Sequence, residues 1–147
     1  MAKLVRNLRR RSLLRLVFLM AVLLIGAILI SHFRQKGPDL STLEGRQSYL
    51  REQGWEVDLG TEERKTVRIP TNLDGILADY NELQLSQGCD LSKHLGQTCE
   101  QYSYTVTNYP DEAQTVLVTL YVQNGRLIAG DIHSTALNGF MQGLRRE

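Results

Sequence analysis

Acidic residues are missing from the first 33 positions of this 147-residue chain, and only two cysteines occur anywhere in it. The cysteines, Cys89 and Cys99, are ten apart, so they form no C-x-x-C motif, and no zinc-type ligand set surrounds them. There is no G-x-S-x-G, no phosphate-cradling glycine loop and no H-E-x-x-H, which removes the commonest hydrolase, nucleotide and metalloprotease signatures. Internal repeats and low-complexity tracts are absent as well.

The missing acids create an asymmetry that the overall charge of +1 hides. Residues 1–33 carry six basic residues, Lys3, Arg6, Arg9, Arg10, Arg11 and Arg15. Residues 34–147 carry the other eleven basic residues against all sixteen acids, a net −5. An acidic globular portion argues against a nucleic-acid partner, since phosphate binding needs a basic face. Residues 16–33 (LVFLMAVLLIGAILISHF) hold no charged side chain, and all but Gly26, Ser31 and His32 are apolar. At about 1.5 Å per residue the run covers roughly 27 Å, close to a hydrocarbon core of about 30 Å. With six basic residues before it and only Arg34 and Lys36 close behind, the positive-inside rule places the N-terminus in the cytoplasm.

The expected organisation is a basic cytoplasmic arm (1–15), a transmembrane helix (16–33), a stem (34–40) and an extracytoplasmic domain (41–147). A cleaved signal peptide is the alternative, because it shares the basic start. Its apolar stretch is usually shorter, and the exit Ile28–Phe33 has large residues where a cleavage site needs small ones.

Within 41–147 the pattern predicts an α+β fold, an antiparallel sheet of about five strands packed by two or three helices. Ser41 and Glu44 have capping-box spacing before a helix ending near Gln53 and Gly54. Trp55, Val57 and Leu59, then Val67 and Ile69, alternate around a turn at 60–63, which predicts a hairpin. Thr71 can cap a second helix whose stripe is Leu73, Ile76, Leu77, Tyr80 and Leu83. Strands follow from about Thr98, with Tyr102, Tyr104 and Val106 on one face, and over Val116–Val122. Asn124-Gly125 marks a two-residue type I′ turn. A simple register then sets Val122 opposite Leu127, Leu120 opposite Ala129 and Val118 opposite Asp131. Ala136, Leu137, Phe140, Met141 and Leu144 fit a short C-terminal helix.

The candidate site residues are few. Asp131 and His133 share one face of a strand and could bind a metal or act as acid and base. The competing reading is a polar strand end satisfied by hydrogen bonds. Tyr80 lies on the apolar stripe with a hydroxyl that needs a partner. Cys89 and Cys99 are candidates for a disulfide in an oxidising compartment, or else two small buried hydrophobes. No residue set specifies a cofactor or a metal.

The phrases GWEV (54–57), YNELQLSQGCDLSKHLG (80–96), YSYTVTNYP (102–110) and NGRLIAGDIHSTALNGFMQGL (124–144) occur in order. Together they resemble domain-of-unknown-function family 4830, small bacterial membrane-anchored proteins with an extracytoplasmic domain. The resemblance implies no catalytic residues. It implies hydrophobic or aromatic residues at the positions of Cys89 and His94, which would make a disulfide particular to this chain. The functional expectation is therefore an anchored domain that binds a protein or peptide of the cell envelope. The alternatives are an envelope hydrolase or metal-dependent enzyme using Asp131 and His133, and a secreted ligand-binding domain released by signal peptidase.

Overall fold

The computed structural model describes residues 20–26, 37–110 and 115–146. The chain divides into two compact units, Met1–Gly37 and Pro38–Glu147. In the first, residues 20–26 are α-helical, and the rest of the apolar segment 16–33 lies outside the described residues together with the basic arm. No helix among the described residues is long and apolar enough to cross a membrane.

The second unit is α+β. Helix α1 (Leu43–Glu52) is followed by strand β1 (Val57–Arg68), helix α2 (Ile76–Ser86), a 3-10 turn (Leu91–His94) and strands β2 (Thr98–Val106), β3 (Val116–Gln123), β4 (Arg126–Ser134) and β5 (Met141–Gln142). The strands form one antiparallel sheet in the order β1-β2-β3-β4-β5. Each face has its own core. On one, Tyr102, Tyr104, Val106, Val118, Leu120 and Ile132 pack with Leu50 of α1 and with Trp55 and Leu144. On the other, Cys99, Ile128 and Ala129 pack with Ile69, Leu91 and Tyr80 of α2.

Several local expectations change. Thr42, not Ser41, caps α1: its hydroxyl accepts from Gly45 N at 3.0 Å, while Ser41 is engaged by the Asp39 carboxylate. The turn chemistry at 60–63 produces no hairpin. Asp58 Oδ1 accepts from Gly60 N and Thr61 Oγ1 donates to Asp58 O, so the chain kinks. It then continues along β2 in the same direction, with a register break between Asp58 and Glu63. A buried arginine fastens this break to α1. Arg46 donates to Tyr104 Oη (2.6 Å), Leu40 O, Ser41 O and Glu62 Oε2 (2.9 Å), and its guanidinium lies 3.7 Å over the Tyr102 ring.

The predicted C-terminal helix is absent among the described residues. Ala136 N bonds to Ser134 Oγ, Gly139 N to Ala136 O, and Ser134 N to Phe140 O, closing a tight loop that returns as β5. Gly139 is needed there, since a Cβ would lie 2.8 Å from Ser134 O. Leu137, read as an apolar helix position, is fully exposed at the tip of that loop. In α2 the stripe is also displaced: Ile76 is 86 % exposed, whereas Gln84 is fully buried.

The register of β4 matters most. Asn124 (φ 52°) and Gly125 (φ 74°) make the expected positive-φ turn, and Val122 does pair with Leu127. The next pair is Tyr121 with Ala129, so β4 carries one extra residue, a β-bulge. Leu120 thereby meets Gly130 and Thr119 meets Asp131, in place of Leu120 with Ala129 and Val118 with Asp131. Asp131 moves to the opposite face, as any one-residue slip requires. Gly130 turns toward the first core, where a Cβ would lie 2.6 Å from Leu144 Cδ1 and 2.9 Å from Thr119 O. Gly130→Ala is therefore expected to lower domain stability by about 1–3 kcal/mol through overpacking, read as a shifted urea midpoint. An unchanged midpoint would mean that Leu144 does not fill that space.

Candidate functional site

With the bulge in place, three residues singled out in the sequence come together. Tyr80, from α2, donates its hydroxyl to Asp131 Oδ2 at 2.7 Å, and His133 Nδ1 lies 2.7 Å from Asp131 Oδ1. Asp131 is only 3 % exposed, and the His133 side chain is 28 % exposed. The Asp131 bond raises the His133 pKa above its ordinary value against the opposing effect of burial. Burial, reinforced by the neighbouring Asp131 charge, pushes the Tyr80 hydroxyl well above the ordinary tyrosine range, so it stays a proton donor.

The approach of α2 is fixed by two glutamines. Gln84 Oε1 accepts from Gly130 N (2.8 Å), Gln87 Nε2 donates to Gly130 O (2.7 Å), and Gln87 Oε1 accepts from Leu144 N (2.8 Å). Side-chain amides thus serve the Gly130 peptide groups, which the short β5 ladder does not reach. Gln84 Nε2 is the one buried side-chain polar atom among the described residues without a partner. Asn81 accepts from Leu91 N and holds the 3-10 turn.

The chemistry open to this cluster is limited by what surrounds it. His133 borders a shallow cleft of about 310 Å³ with Glu63, Lys65, Ser103, Leu117 and Thr119. Ser103 and Thr119 bond to each other at 3.1 Å, and neither hydroxyl bonds to the imidazole. A base and its orienting acid are present, without an aligned nucleophile. Nor is there a third ligand: no group of three or more His, Cys, Asp or Glu among the described residues could hold a metal ion. His94 pairs with Gln123 Oε1 instead, and His32 lies outside the described residues. Asp131 thus ends up buried on the α2 side, satisfied by the Tyr80 and His133 side chains.

Cys89 and Cys99 are free thiols in this structure. Cys99 sits in the second core and Cys89 is half-buried, and burial raises both thiol pKa values. Trp55, Tyr102 and Tyr104 are core residues.

Sequence reasoning missed one concavity. A groove of about 850 Å³ opens between the ends of α1 and α2 and the C-terminal tail, lined by Tyr49, Gln53, Trp55, Gln87, Tyr109, Gln142, Arg145 and Arg146 among others. Trp55 Nε1 donates to Leu144 O, and Arg146 N donates to Gln53 O, so the tail itself builds one wall. Its lining comes from four separate segments, and no spacing in the sequence brings them together.

Two measurements check this site. Tyr80→Phe removes a donor from a buried carboxylate and is expected to cost about 1–3 kcal/mol, against none if Asp131 is solvated. Because the folded His133 pKa is raised, its contribution is complete below the unfolded value and is lost as pH rises through the folded one. The wild-type stability advantage over His133→Gln should therefore shrink from pH 5.5 to 8.5, and a constant or growing advantage would contradict the pairing. For the cysteines, a thiol count in denaturant without reductant should return two, and a count of zero would establish a disulfide. No protein family model matches the chain, and neither a curated protein nor a solved structure matches it.

Proposed function

We propose that this chain is a single-pass membrane protein with a cytoplasmic N-terminus, whose extracytoplasmic domain binds a protein or peptide of the cell envelope. The anchor reading is supported by the uncharged run 16–33 and the six basic residues before it. The observation that carries the binding reading is the 850 Å³ groove, which falls in the size range of ligand sites. Tethering raises the effective concentration of such a domain near other envelope components. The resemblance of the ordered phrases to family 4830 implies the same placement.

Hydrolysis through Asp131 and His133 is the second reading, favoured by the 2.7 Å contact that would leave Nε2 free as a base. It needs a water or hydroxyl beside Nε2, and the Ser103–Thr119 pair is turned to itself. Release by signal peptidase is the third, and it predicts a mature chain lacking the apolar segment.

In cells, alkaline phosphatase fused after the last residue should be active and a cytosolic reporter at the same point silent. The mature chain should keep its full mass. The reverse reporter pattern, or a chain that washes freely from membranes, would overturn the anchor. A photoreactive residue at Gln53 or Gln142 should trap a discrete envelope protein that the same residue at the exposed Thr66 does not. Identical adducts, or none, at both positions would overturn the binding reading.

A further inference from the structure

We propose that the groove at the ends of α1 and α2 takes an acidic peptide segment, with its carboxylates on Arg145 and Arg146. This rests on the binding reading and narrows it to one ligand chemistry.

Charge is the first argument. Residues 34–147 carry a net −5, yet the described lining of this groove contains two arginines and no acid. A cationic patch in an acidic domain selects anions. Arginine's planar fork is suited to carboxylates. Arg145 is exposed and makes no side-chain hydrogen bond among the described residues.

The remaining polar groups are those a peptide main chain needs. The side-chain amides of Gln53 and Gln142 have no hydrogen-bond partner among the described residues, and each offers donors and an acceptor. The backbone N–H groups of Gly143 and Arg145, also on the lining, are unpaired in the same sense. Recognition of acidic segments by clustered arginines is a recurring peptide-recognition mode.

The aromatic residues argue against a sugar or a base. Trp55 is buried beneath the Arg146 guanidinium, 5.1 Å from its ring. Tyr109 is stacked with Trp55 at 6.0 Å and with Phe140 at 5.0 Å. Neither ring presents the bare face on which a nucleobase or pyranose would stack. They form a wall that an apolar peptide side chain can cover.

The single tryptophan makes the groove its own reporter. Full-length protein in detergent micelles would be titrated with two pools of acetylated, amidated hexapeptides, one of Glu, Leu and Gly and the other with Gln in place of Glu. The Glu pool is expected to change Trp55 emission saturably, with apparent affinity about tenfold above the Gln pool and falling as salt rises. Arg145→Glu should remove that preference, with an unchanged urea midpoint showing that the fold survives. Equal affinity for the two pools overturns the acidic ligand. So does an oligomer of galacturonic acid binding more tightly than the Glu pool. So would binding of the Glu pool that requires Asp111→Asn with Glu112→Gln, since the chain's own acids would then be the occupant. Silence from both pools, with an envelope protein still trapped through Gln53, overturns the acidic peptide while leaving the binding reading standing. Silence in both assays overturns both.

Discussion

One extra residue in β4 decides where the polar groups of this domain go. Without the bulge beside Ile128, Asp131 would face the core of Val118 and Leu120, where an unpaired carboxylate costs several kcal/mol or more. With it, the carboxylate turns to α2 and meets a phenol and an imidazole, while Gly130 takes the core-facing place and admits Leu144. The β5 ladder stops at Ile132, short of Gly130, and Gln84 and Gln87 bond the Gly130 peptide groups there. Helix placement, strand register and the C-terminal plug are consequences of the same residue count.

A second polar assembly does the equivalent work on the other face. The β1 kink brings Glu62 under α1, where Arg46 and Tyr104 meet it. Partial burial works against the Glu62 charge, but hydrogen bonds from Tyr104 and Arg46 outweigh it and hold the carboxyl below its ordinary range. Each helix is thus pinned to the sheet by a buried charged residue at a strand irregularity. Such networks are costly when incomplete, which makes the register of both strands strongly specified.

Much of this was legible from residue pattern alone. The alternation in β2 and β3, the Asn124-Gly125 turn and the α+β class follow from periodicity and turn chemistry. Asp131, His133 and Tyr80 were separable as candidates because each is a polar group on an otherwise apolar stretch. What pattern could not supply was non-local. The bulge needs Gly130 to receive Leu144. The turn signals at 60–63 fit a kinked strand as well as a hairpin. The stripe at 136–144 has helical spacing, but Gly139 and the Ser134 hydroxyl close a loop first. In α2 the one buried residue is Gln84, which hydropathy counts as surface. The groove lined by Arg145 and Arg146 exists only because the tail is held across the ends of both helices.

The placement of Asp131 is most directly tested by histidine-selective NMR, since among the described residues His133 alone of the imidazoles shares a bond with a buried carboxylate. If the bulge sets the register as described, the His133 ring titrates above 6.5, and the neutral ring keeps its proton on Nδ1, facing Asp131. A His133 that titrates at or below that value, with its proton on Nε2, would mean that the carboxylate lies elsewhere and that β4 runs without its extra residue.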